Sequence, residues 1–174
     1  MARSKSSLNP LLVWLLVAAL LGPGVVAGAE SRTTVTAALT ITGSAALPVQ
    51  EDMHYSTSLS VLNAWAEGLW FTVPLTFPAP VVTIKRITAY VYDNSAWAVG
   101  VSLMRAHPPT GQDTTLGEIW STGASLTAPR TVTSSEISPR TVNTANYPLY
   151  LRIGMSEGTR LYGVKILYTY ETGA

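Results

Sequence analysis

The sequence predicts an all-β protein, an antiparallel two-layer β-sandwich or jelly-roll-like fold of about eight strands, and three observations carry that prediction. Past residue 30, apolar side chains recur with a period of two, turn-forming clusters interrupt them at short intervals, and no stretch sustains helical periodicity for three turns. A helical leader precedes this pattern.

The elements follow in chain order. Thr33 to Thr42 is rich in β-branched residues and puts Val35, Ala37, Leu39 and Ile41 on one face. Ser58 to Glu67 is expected to form at most one short helical turn, and Asn63 to Gly68 a loop. Leu69, Phe71, Val73, Leu75 and Phe77 then alternate with Trp70, Thr72, Pro74, Thr76 and Pro78. Because proline lacks a donor, this strand belongs at a sheet edge or carries a bulge. Residues 82 to 92 and 97 to 106 both alternate, and the short polar cluster Asp93-Asn94-Ser95 between them suggests an antiparallel hairpin. Residues 108 to 114 form the next loop. Further strands are expected at Thr115 to Ser121, Arg130 to Ile137, Leu149 to Ile153 and Tyr162 to Tyr170. The last carries apolar groups on both phases and is therefore expected to be central.

The first ten residues hold Arg3 and Lys5 and no acid, and Leu11 to Leu21 contains no polar side chain. Gly22-Pro23-Gly24 breaks the segment, and Ala27 and Ala29 offer small residues before Glu30. This is the pattern of a signal peptide over residues 1–29, cleaved after Ala29, with residues 30–174 as a single exported domain that is secreted or held at the cell surface. Contact with a membrane is expected only through the leader, if it is retained as an anchor.

Composition excludes several classes of function. Apolar residues make up 47% and charged residues 12%, against about 25% charged in average soluble proteins, so Ser, Thr, Asn and Gly must cover much of the surface. Without Arg3 and Lys5, 9 basic residues face 10 acidic ones, and Lys85-Arg86 is the only adjacent basic pair. Nucleic acid is not an expected partner, since a phosphate backbone requires several cations on one face. The absence of cysteine removes disulfides, thiolate nucleophiles and sulfur-ligated metals.

Residues 69 to 170 resemble a family of secreted bacterial β-sandwich domains without an established activity. The resemblance rests on Val73-Pro74-Leu75, the segment Ile87 to Ser95 with its Tyr92-Asp93-Asn94-Ser95 turn, and Val101-Ser102-Leu103. It continues through Ser121-Thr122-Gly123-Ala124-Ser125 and the closing Leu161 to Tyr170 strand. It implies export and a sandwich fold, and it transfers no catalytic residue. Trp97 departs from the family pattern, which has a small polar residue after the turn.

No catalytic motif emerges. A hydrolase would need a base held beside its nucleophile, and Asp52, His54 and His107 with scattered serines show no such spacing; no Gly-x-Ser-x-Gly elbow is present. Glu51-Asp52 lacks a calcium-loop pattern, and Glu67, Glu118, Glu136 and Glu157 are acids of the kind any sandwich carries. No metal or cofactor is expected. The aromatic residues carry more signal. Trp70 and Trp97 fall on or beside the outward phase, where an indole can stack on a sugar ring or anchor a protein partner. Trp65 and Trp120 are expected to cover the ends of the core. Tyr90 and Tyr92 also point outward, and would be buried between copies in a homo-oligomer. The reading is therefore a non-enzymatic exported sandwich with a binding or surface-assembly role, its partner a second copy, a protein or an extracellular glycan. A carbohydrate-binding module using exposed tryptophans is the first alternative, and a secreted hydrolase the second.

Overall fold

The computed structural model describes residues 31–121 and 128–173, and the strands fall in one compact unit, Arg32–Ala174. The expected signal peptide and its cleavage point lie outside the described residues, as do residues 122–125 of the family-like segment. The strands are β1 (Thr33–Thr42), β2 (Leu47–Pro48), β3 (Tyr55–Ser58), β4 (Val61–Ala64), β5 (Leu69–Leu75) and β6 (Val81–Asp93), followed by β7 (Gly100–His107), β8 (Gln112–Trp120), β9 (Arg130–Ser134), β10 (Thr141–Asn143), β11 (Leu149–Met155) and β12 (Thr159–Thr172). A 3-10 turn, Gly43–Ala45, joins β1 to β2.

Two antiparallel sheets form the sandwich. In the larger, β6 and β12 pair at the centre. The outer edge of β6 carries β9 and β10, and that of β12 carries β1 and β4, with β3 beyond β4. The smaller sheet runs β2-β5-β11-β7-β8. The core lies between them, with Phe71, Leu103, Leu151 and Ile153 from one sheet facing Leu62, Ile84, Ile87 and Ile166 from the other, all buried.

The period-two pattern produces this core directly, with two adjustments. Val82 and Ile84 share one phase of β6, whereas Ile87, Ala89 and Val91 share the other. A register shift opposite Leu167 and Tyr168 absorbs Lys85, so that both groups point inward. A second shift at Tyr162 turns Leu161 and Val164 inward together. As expected, β12 is central, and Pro74 lies on β5 beyond the reach of the two-residue β2, which pairs only with Phe71 and Thr72.

Three expectations are corrected. Residues 58–67 hold β4 and its turn from β3 rather than a helical turn, because the sheet edge at Leu161 gives Leu62 a buried place. Short strands β2, β3, β4 and β10 have too few residues to display a period, which is why about eight strands were expected. Finally, β6 and β7 do not form a hairpin: they belong to opposite sheets, and the chain crosses the sandwich between Asn94 and Val99.

A buried carboxylate holds that crossover. Asp93, fully buried, accepts the Ser95 backbone N–H at 3.1 Å on one oxygen and the Ser121 hydroxyl on the other, and Arg130 approaches the second oxygen at 3.8 Å. Ser121 Oγ in turn accepts the Val99 N–H at 2.6 Å, and its own N–H donates to the Val99 carbonyl at 2.8 Å. The end of β6, the start of β7 and the end of β8 are thus tied at one point. Asp93→Ala should cost about 3 kcal/mol, because it leaves the buried Ser121 hydroxyl and the Ser95 N–H without their acceptor. Denaturant unfolding checks this, and a loss below about 1 kcal/mol would mean the crossover is held by packing alone.

Candidate functional site

The outer face of the smaller sheet is set by the same alternation that fills the core. With Leu69, Ile153, Val101 and Ile119 inward, their neighbours Trp70, Gly154, Gly100 and Trp120 must point out. The registers place these four side by side, as Trp70 pairs with Gly154, Gly154 with Gly100, and Gly100 with Trp120. A row of Trp-Gly-Gly-Trp therefore crosses four strands, its ends about 14 Å apart at three strand spacings.

The glycines determine how the indoles lie. A methyl group on Gly100 would fall 2.3 Å from Cζ3 and 2.7 Å from Cε3 and Cη2 of Trp120, and one on Gly154 would fall 3.0 Å from Cζ3 of Trp70. The six-membered ring of each indole thus lies over the neighbouring glycine, where any other residue would lift it. Both rings reach from the rims of the sheet toward its middle. They keep an outer surface in solvent, with Trp70 38% and Trp120 47% exposed.

Trp97, 62% exposed, joins them from the crossover, where its N–H donates to Ser95 Oγ at 3.1 Å. The three tryptophans line one cleft of about 300 Å³, together with Leu69, Gly154 and Met155. A parallel row of polar side chains runs alongside: Thr72, Arg152, Ser102 and Glu118 occupy the next outward positions. Glu118 accepts from Ser102 Oγ at 3.1 Å and from Trp120 Nε1 at 3.3 Å, fixing the indole in its plane. The Arg152 guanidinium carbon sits 5.4 Å from the Trp70 ring centre, a cation–π contact, and its Nε is buried without a hydrogen-bond partner. One row further, Tyr150 donates to Asp113 Oδ2 at 2.7 Å.

The sequence-predicted site residues divide between the two faces of the sandwich. Trp70 and Trp97 are brought together in the cleft. Tyr90 and Tyr92 lie on the opposite face, on β6, where Arg160 covers the Tyr92 ring at 5.3 Å. Trp120, expected to cover the core, is instead a main wall of the cleft. Gly100, Gly154 and Arg152 carry no signal in the sequence, and Glu118 stands there only among scattered acids, since only the strand pairing reveals that these residues adjoin a tryptophan. A larger groove of about 620 Å³ lies elsewhere, between Arg32, Thr83, Thr141 and Glu171. Its main charged feature is the 3.4 Å pair of Arg32 and Glu171, both largely exposed and therefore weak.

The architecture has known counterparts. The C-terminal carbohydrate-binding module (CBM6) of LamC, a marine laminarinase from Zobellia galactanivorans, is similar with a TM-score of 0.51 and 18% identity, over 75% of this chain and 98% of that one. The xylan-binding module CBM15 aligns with a TM-score of 0.46 and 11% identity, over 76% of this chain and 97% of that one. The module CsCBM6-3 from Clostridium stercorarium, determined with cellobiose, gives a TM-score of 0.43 and 18% identity, over 78% and 94% of the two chains. No family model matches the chain, and no curated protein does. The first of these likenesses establishes the β-sandwich fold.

Burial, the hydrogen bond to Asp113 and the charge of that carboxylate push the Tyr150 hydroxyl up to about 12 from its ordinary value of 10.0. The neutral phenol is therefore favoured in the folded protein. Its contribution to stability is complete below pH 10 and is lost as the pH rises through about 12. Stability should accordingly fall over that interval, and Tyr150→Phe should flatten the fall; an unchanged slope in the variant would assign it to other groups.

Proposed function

We propose that the protein is a non-catalytic carbohydrate-binding module whose ligand lies on the tryptophan row of the smaller sheet. The observation that carries this reading is the Trp70-Gly154-Gly100-Trp120 row, in which two indoles are laid over glycines and a third, Trp97, closes the cleft. A pyranose ring offers a face of C–H groups bounded by hydroxyls. An immobilised indole matches the face by dispersion and burial, and a neighbouring line of carboxylate, guanidinium and hydroxyl groups matches the rim. Trp120 with Glu118 and Trp70 with Arg152 supply that pairing twice. Restraint of the rings before binding lowers the entropy lost when a ligand docks.

The disposition of the two histidines supports a binding role over hydrolysis. His107 stacks on Tyr147 at 5.3 Å and shares a 2.7 Å hydrogen bond with Thr110, while His54 lies between β2 and β3. Among the described residues, neither imidazole is hydrogen-bonded to an acid, as a general base oriented by a carboxylate would be. Fold likeness to the laminarinase module agrees with this reading and adds a scaffold on which it is reasonable.

Retention on immobilised xylan, β-1,3-glucan and cellulose tests the proposal. Trp120→Ala should weaken retention about tenfold or more while the variant stays folded, its melting temperature lowered by only a few degrees through the uncovering of Gly100. Gly100→Ala keeps every indole but displaces the Trp120 ring, and should weaken retention as well. No retention of the parent protein on any glycan, or full retention by both variants, would overturn the reading.

A further inference from the structure

Resting on that reading, we infer that the ligand is an extended, unbranched polysaccharide bound along the interior of its chain, in a track that leaves the tryptophan cleft and passes over the end of the sandwich to the opposite sheet. Three depressions share walls. The cleft of Trp70, Trp97 and Trp120 adjoins a second depression of about 380 Å³ that has Trp97 in common with it and is lined by Glu67, Asn94 and Glu157. This one shares Asn94, Glu157 and Gly158 with a third, of about 210 Å³, between Trp65 and Tyr92. Trp97, exposed on the crossover and shared by the first two depressions, therefore links the two faces.

The far end is built like the near one. Trp65 is 61% exposed yet fixed, its backbone N–H donating to the His54 carbonyl at 2.9 Å and its Nε1 to Ser56 Oγ at 3.0 Å. Tyr92 opposes it, braced by Arg160, and Asn63 stands next to Arg160 across the sheet. Each end thus offers a restrained ring with a guanidinium against a neighbouring ring, and the middle offers amide and carboxylate groups. A single sugar, or a terminal one, would use one depression and leave the other aromatic end without a role. A chain occupying all three would alternate ring stacking and hydroxyl bonding along its length, which suits the repeat of a linear glycan.

Titration calorimetry with cello-, xylo- and laminari-oligosaccharides, from the disaccharide to the hexasaccharide, tests this. In the series matching the polysaccharide that retains the protein, affinity should climb about tenfold or more from the trisaccharide to the hexasaccharide. Trp65→Ala should bring the hexasaccharide down to the trisaccharide's affinity and leave the trisaccharide unchanged, whereas Trp120→Ala should weaken every length. An affinity that stops rising at the trisaccharide in the parent protein would overturn the extended track while leaving the tryptophan cleft in place. Equal losses at all lengths for Trp65→Ala would do the same. If no oligosaccharide binds and no polysaccharide retains the protein, the binding reading and this inference fall together.

Discussion

The buried Asp93 carboxylate is the constraint on which the site depends. It ends β6, receives the Ser121 hydroxyl from the end of β8 and fixes the turn at Ser95, so three segments from both sheets meet at one charged group. Such a group is tolerated in the interior only when its lone pairs are occupied and a counter-charge stands near; here Ser95, Ser121 and Arg130 fulfil both conditions. The functional consequence lies just outside this knot. Trp97 leaves the crossover two residues after Ser95, and Trp120 immediately precedes Ser121, so the same carboxylate that makes the chain change sheets also sets two of the three indoles.

The tryptophan row has a structural role and a surface role, and both follow from the same geometry. Glycine in a strand weakens it, for want of a side chain to pack and because of its backbone freedom, and an aromatic residue laid over a neighbouring glycine restores part of that loss. Trp120 over Gly100 and Trp70 over Gly154 are two such pairs. Covering a glycine accounts for one face of each indole. It does not account for the opposite face, left in water at the floor of a cleft into which a third tryptophan projects, nor for the parallel line of Thr72, Arg152, Ser102 and Glu118. Those features have a physical purpose if something with an apolar face and a polar rim settles there.

Much of the fold was legible because burial enforces alternation. Leu69 to Leu75, Ile87 to Val91, Val101 to Leu103 and Val164 to Tyr168 each announce their inward phase, and the position of Pro74 announces a sheet edge. The pairing of β6 with β7 was misread for a related reason. A hairpin and a sheet-to-sheet crossover share the same inward alternation and the same Asp-Asn-Ser turn chemistry, and they differ in which strands pair, a long-range property, and with it in the Ser121 hydroxyl that meets the Asp93 carboxylate. The bulges at Lys85 and Tyr162 were hidden similarly, since a one-residue slip appears only when a partner strand is laid alongside.

By itself the sequence determined that these segments are extended, which side chains turn inward, and that Trp70 and Trp97 stand on or near the outward phase, since period and side-chain type are local properties of the chain. What it means for Trp70 to point outward was decided by tertiary structure. The residues beneath and beside the indoles, Gly154, Gly100, Arg152 and Glu118, come from strands distant in the chain, and their adjacency is set by backbone hydrogen bonding across the sheet and by the buried carboxylate that sends β7 to it. Strand order is a cooperative outcome of packing the whole core, so no single stretch of residues records it.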